Sequence, residues 1–210
     1  MTKRQEGFAL TAKSIIKELE KRNMEGYFCE NSEEAVKTVL SLLPENATVS
    51  WGGSETIKEC GLMEALQNGN YNLLDRSKVS PEEYREFYSK VVMADAFFMS
   101  SNAITENGEL VNIDGAANRL ACLLHGPQSV YVIVGMNKLV SDVDAAIGRI
   151  RNTACPANTL RLNRKTPCAL TGKCGDCYSQ ESICSQIVVT RRSTQPKRIK
   201  VILVAENLGY

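Results

Sequence analysis

The chain has 210 residues, 43% of them hydrophobic, and 25 basic residues stand against 24 acidic ones for a net charge of +1. That length is enough for one α/β domain spanning residues 1–210, and the balanced charge argues against a protein that lives on nucleic acid. No apolar run reaches the roughly 20 residues of a membrane span, and the charged N-terminal stretch MTKRQEGFALTAKSIIKELEKRNM lacks the pattern of a secretory signal, so the expected compartment is the reducing cytoplasm.

In chain order, Phe8, Ile15, Ile16 and Leu19 recur at helical spacing, with Gly26 as the natural stop, and Tyr27 to Glu30 forms a short strand. NSEEAVKTVLSLLPEN opens on capping residues and an acidic first turn and closes at Pro44, a second helix. ATVSWGGSET reads as a buried strand, a glycine turn and a helix start, and YNLLD as another strand. SPEEYREFYSKVVMAD has Ser80 at the cap and Pro81 at the first helical position. AFFMSS is an apolar strand, and NAITENGELVNIDG a hairpin around Asn107-Gly108. AANRLACLLHG is a short helix, SVYVIVG a strand, and SDVDAAIGRIRNTA a helix. After a cysteine-rich segment at 167–184, SQIVVT and KVILVA are strand-like. Strands that are apolar throughout and alternate with helices predict an α/β fold, a Rossmann-like, mostly parallel sheet flanked by helices.

Three groups of residues can carry chemistry. Gly52, Gly53 and Ser54 lie between a strand and a helix start, at the carboxyl edge of the expected sheet. Two glycines there let backbone amides approach an anion, although the same residues also serve an ordinary capped βα turn. Residues 101–120 bring Asn102, Glu106, Asn112, Asp114, Asn118 and Arg119 together with small residues such as Gly115, as a pocket floor requires; two side-chain-capped turns and a surface ion pair are the plainer alternative. In the pocket reading Arg119 holds a carboxylate or phosphate through its planar fork and Glu106 is the base or nucleophile. The third group is Cys168, Cys174, Cys177 and Cys184, spaced C-x5-C-x2-C-x6-C. Four thiolates in a reducing compartment suit a metal site, zinc or an iron–sulfur cluster, and packed free thiols are the alternative. Cys29, Cys60 and Cys122 sit in apolar patterns and belong to the core. Cys155, before Pro156, is read as structural, with a fifth metal ligand as the alternative, and the basic group from Arg191 to Lys200 as a solvated connection between strands.

Four stretches, SWGGSETIKECGL, SNAITENGELVNIDGAANRLA, GPQSVYVIVGMNKLVSDVDAAIGRIRNTACPAN and CALTGKCGDCYSQESIC, resemble the lactate-utilisation (LUD) domain family. The resemblance implies a fold like ribose-5-phosphate isomerase and the CoA transferases, association with the oxidation of lactate to pyruvate, and iron–sulfur redox proteins as partners. It assigns Gly52, Gly53 and Ser54 to a ligand loop. It also assigns Asp114, Gly115, Asn118 and Arg119 to the pocket segment and brings Lys138, just past a strand, toward the same pocket. The expected function is an enzyme or enzyme component acting on a small anionic metabolite, with a non-catalytic metal- or redox-responsive subunit as the alternative. Neither nucleic acid nor membrane is an expected partner, and a homo-oligomer is compatible with the sequence.

Overall fold

The computed structural model describes residues 2–210. Its elements are α1 (Lys3–Lys21), β1 (Glu25–Cys29), α2 (Ser32–Leu42), β2 (Thr48–Trp51), α3 (Glu55–Glu59), α4 (Leu62–Asn68), β3 (Asn72–Leu74), α5 (Tyr84–Val92), β4 (Ala96–Met99), β5 (Ala103–Thr105) and β6 (Leu110–Asp114). They continue with α6 (Asn118–Leu124), β7 (Ser129–Gly135), β8 (Leu139–Val140), α7 (Val143–Arg149), α8 (Cys155–Arg161), α9 (Pro167–Thr171), β9 (Gln186–Thr190) and β10 (Ile199–Val204).

Six strands form an all-parallel sheet in the order β1-β10-β7-β4-β2-β3. Strands buried on both faces need apolar side chains at every position, which is why β4 and β7 read as unbroken runs. Within them, alternate residues still part to opposite sides. Phe97, Met99, Val130 and Val132 pack with Ile15 and Leu19 of α1, Val91 of α5 and Leu120 of α6. Phe98, Tyr131 and Ile133 pack with Val39 of α2, Ile57 of α3 and Leu66 of α4. The expected parallel sheet with helices on both faces is therefore the observed one. The chain leaves β2 for β3 on one side, then leaves β4 for β7 on the other. The carboxyl ends of the neighbouring strands β2 and β4 thus flank a topological switch point, where α/β sheets bind ligands.

A second sheet, β8-β5-β6-β9, was not expected as a separate layer. The hairpin β5–β6 turns at Gly108, whose φ of 83° is the left-handed conformation that favours glycine. Strand β9 adds antiparallel to β6, so the two strand-like segments at the end of the chain belong to different sheets. Ala103, Val111 and Ile113 of this sheet pack on Ala146, Ile150 and Ala154.

Three local expectations are corrected. The first helix ends before Asn23, which takes the left-handed turn at φ 57°. Gly26 instead lies within β1, where a Cβ would stand 2.7 Å from Ile16 Cγ1. The helix after Ser141 does not end at Ala154. It passes through a π-helical turn at Ile150–Ala154 and runs on to Arg161. Pro156 has no N–H to donate and its ring would crowd the preceding turn of an unbroken α-helix; the widened turn lets the chain past. Arg198 is buried rather than solvated. Its guanidinium donates to the carbonyls of Cys122, Leu123 and Pro127 at 2.7, 2.7 and 2.9 Å, closing the C-terminal end of α6 with a positive charge.

Candidate functional site

A cavity of about 310 Å³ opens at the switch point. Gly53 and Ser54 enter it from the end of β2, Ser100 to Asn102 from the end of β4, Asp114 and Gly115 from the end of β6, and Lys138 from the 3-10 turn after β7. Ser54 caps α3, its hydroxyl accepting from Ile57 N at 3.4 Å. A Cβ on Gly53 would meet no atom within 4 Å, so that backbone faces open space. Gly52 lies behind it, buried, where a Cβ would sit 3.4 Å from the Arg119 stem.

Arg119 occupies the middle of the wall, yet most of its hydrogen-bonding capacity is already used. Its Nε donates to Asp114 at 3.0 Å, one Nη to the Ser100 carbonyl at 3.1 Å, and the other to Asn102 Oδ1 at 3.0 Å and the Ile113 carbonyl at 3.2 Å. The guanidinium ties the end of β4 to the end of β6. Asn102 Oδ1 also accepts from Ile113 N, and Asn118 donates to the Tyr88 hydroxyl at 2.7 Å. Side chains picked out in residues 101–120 therefore meet at the cavity, but chiefly to hold one another.

Glu106 is not brought to the cavity. It is exposed at the hairpin turn, at the opposite end of β5 from Asn102, and its backbone N–H donates to Val140. The strand direction carries it away from the site despite only four positions of separation. Glu106→Gln should leave ligand affinity and melting temperature unchanged, measured by calorimetry and thermal melts; a tenfold loss of affinity would restore the carboxylate to the site.

Lys138 is 3% exposed and aims its ammonium at two hydroxyls, Thr56 Oγ1 at 2.6 Å and Ser100 Oγ at 3.0 Å. Burial, with Arg149 and Arg119 nearby, pushes its pKa down to about 7, against a small opposing pull from Glu59. Among the described residues no carboxylate forms a salt bridge with it; its bonds go to the two hydroxyls. Five basic side chains, Arg76, Arg119, Lys138, Arg161 and Arg164, line the cavity against two carboxylates. Both carboxylates are engaged, Asp114 with Arg119 and Glu55 with Arg161 at 3.1 Å. Glu55 and Thr56 lie in the glycine-loop stretch but no role was read for them, and Ser100 and Arg161 were not singled out in the sequence. The run RLNR at 161–164 was the one local signal, since the Glu55–Arg161 pair spans 106 positions.

The model of the LUD domain family matches residues 12–204. The chain belongs to that family. Among solved structures, the LUD domain is similar over 94% of its length, and over 98% of the other chain, to a DUF162 family protein from Deinococcus radiodurans, with a TM-score of 0.56 at 13% identity. Partial likenesses reach ribose 5 phosphate isomerase A from Neisseria gonorrhoeae (TM-score 0.35, 15% identity, 52% of each chain) and eIF2B delta from Chaetomium thermophilum (TM-score 0.37, 18% identity, 56% of this chain and 50% of that one). No curated protein matches the sequence.

The cysteine segment of the LUD domain packs beside this cavity. Gly115 abuts it so closely that a Cβ there would lie 3.2 Å from Ile183 Cα. Cys168, Cys174, Cys177 and Cys184 line a second, smaller cavity together with Cys155, the residue read from sequence as structural or as a fifth ligand. Cys155 and Ile183 line both cavities. The Cys155 and Cys184 sulfurs lie 3.4 Å apart. That contact raises the Cys155 pKa and lowers that of Cys184. Among the described residues, no three His, Cys, Asp or Glu side chains converge on a single metal-ion position as they stand. Cys29, Cys60 and Cys122 are buried in the core, as expected. No helix among the described residues is long and apolar enough to cross a membrane.

Proposed function

We propose that this LUD domain binds a small carboxylate or phosphate ester in the cavity at the switch point and acts on it as an enzyme or enzyme component. The observation that carries the reading is Lys138: a buried amine without a carboxylate partner, held by two hydroxyls in a cavity where basic groups outnumber acidic ones. An amine whose pKa is near 7 can give or take a proton at neutral pH, or attack a carbonyl when neutral. Arg161 and Arg164, at the rim, supply charge for an anion, and the Gly53 backbone leaves room for it. Lactate and related 2-hydroxy and 2-oxo acids are the ligand class that family membership favours. Cytoplasmic location and iron–sulfur redox partners belong to the same proposal.

A second reading, a non-catalytic subunit that senses an anion, is favoured by one feature: both cavity carboxylates are neutralised by arginines, so no free carboxylate base faces the ligand. Turnover separates the two readings.

The test is a thermal-shift screen of small carboxylic acids and phosphate esters, because a ligand that binds only the native state raises the melting temperature. Gly53→Val adds a branched side chain where nothing stands within 4 Å. The variant should keep the wild-type melting temperature without ligand and lose the shift that the best ligand gives. A shift equal to wild type reduces the loop to a turn.

A further inference from the structure

We propose that Cys168, Cys174, Cys177 and Cys184 hold an iron–sulfur cluster through their thiolates, with Cys155 as a fifth thiol that contacts Cys184 without ligating. This site is separate from the metabolite cavity, and its test does not depend on a ligand being found there.

Three observations carry the assignment. First, the segment from Lys173 to Ser185 has no regular secondary structure and little apolar anchorage: Tyr178 is fully exposed, and Leu170 just before it is 87% exposed. Such a stretch does not fold around its own core, yet it brings Cys174, Cys177 and Cys184 to the cavity that Cys168 of α9 also lines. Second, polar groups are directed at those sulfurs. Arg151 Nε donates to Cys174 Sγ at 3.1 Å and Asp176 N to the same sulfur at 3.5 Å, while the Thr166 hydroxyl lies 3.2 Å from Cys168 Sγ. The guanidinium is itself fixed by Asp176. N–H groups and a cation aimed at sulfur stabilise thiolate charge and are the hydrogen bonds that tune a cluster. Third, the room fits several atoms rather than one. The cavity measures about 80 Å³, where a single water takes roughly 10–15 Å³. One zinc ion needs four sulfurs around a point at about 2.3 Å. As they stand the thiols do not converge on one such point; they line a common space that a polynuclear cluster would fill. Ligation displaces the four thiol protons to solvent. Because Cys155 lines both cavities, the cluster would stand one side chain from the anion site.

The protein is purified without oxygen, reconstituted with ferric iron and sulfide in the presence of a small thiol, and assayed for iron, acid-labile sulfide, zinc and visible absorbance. Wild type should carry iron and sulfide in equal amounts. Cys174→Ser and Cys177→Ser should lose most of both, because a hydroxyl replaces a thiolate, while circular dichroism checks that the helices and sheets persist. Cys155→Ser and the core variant Cys60→Ser should retain the iron. Stoichiometric zinc without sulfide, metal-free protein after reconstitution, or iron fully retained in both Cys174→Ser and Cys177→Ser overturns the site. Loss of iron in Cys155→Ser overturns the ligand set. None of these outcomes touches anion binding, which the thermal-shift screen measures on its own.

Discussion

Arg119→Met should lower the melting temperature by about 6–12 °C. The substitution removes four hydrogen bonds and leaves Asp114, whose side chain is 13% exposed, beside two carbonyls with no cation. Removing one partner of a buried ion pair costs about 3–5 kcal/mol. The partial exposure here places the expectation at the lower end, and roughly 2–4 °C per kcal/mol applies to a chain of this size. Arg119→Lys should recover little, since a single ammonium cannot reach an aspartate, an asparagine and two backbone carbonyls at once. Thermal melts of both variants, with ligand affinity of the folded protein by calorimetry, separate a strut from an anchor. A strut loses stability in both variants while affinity changes little. An Arg119→Lys variant with wild-type stability and tenfold weaker binding would make Arg119 the ligand anchor that its place in the sequence suggested.

Lys138→Met should weaken anion binding by about ten- to over a hundredfold, the equivalent of the roughly 1.5–3 kcal/mol of one charge-assisted hydrogen bond. It should also abolish the pH dependence of affinity. The groups that face the amine are Thr56 and Glu59 around α3, Ser100 after β4, Arg119 of α6 and Arg149 of α7. With a folded pKa of about 7, the amine is charged below neutrality, and an anion binds that form better. Wild-type affinity should therefore fall as pH rises above 7, by at most about tenfold per unit, and hold steady below it. The stability change runs the other way. The unfolded chain keeps its proton up to about 10.5 while the folded chain gives it up near 7, so wild type should gain stability as pH rises through that window. Lys138→Met should show neither slope. Calorimetry and thermal melts from pH 6 to 9 read both, and a flat wild-type affinity across that range would remove Lys138 from the ligand.

The apolar runs at Ala96–Met99 and Ser129–Gly135, the Ser80-Pro81 start of the 3-10 turn Pro81–Glu83 that leads into α5, and the Asn107-Gly108 turn were legible along the chain, because each depends on residues within about a dozen positions of one another. Those local patterns were enough for the parallel sheet and for the strand-to-helix junction at Gly52 to Ser54 on its carboxyl edge, while the placement of Lys138 near it came with the family resemblance. The grouping of thiols from Cys168 to Cys184 was equally visible as spacing. What the sequence could not show was partnership across long separations. Arg119 pairs with Asp114 close by, but its other donors go to the strand end near Ser100. Glu55 meets Arg161 only after α8 has passed Pro156, and Cys155 reaches Cys184 across 29 positions. Whether a charged side chain serves a ligand or its own fold depends on which donors remain free, and that is decided by packing. The same holds for Glu106: its residue type suits catalysis, but the direction of one short strand puts it in solvent at the far end of the hairpin. Composition and periodicity determine the layers and their edges. Only the tertiary structure decides which groups at that edge are left to meet a substrate, because burial and hydrogen bonding between distant segments set both the free donors and the charge state of Lys138.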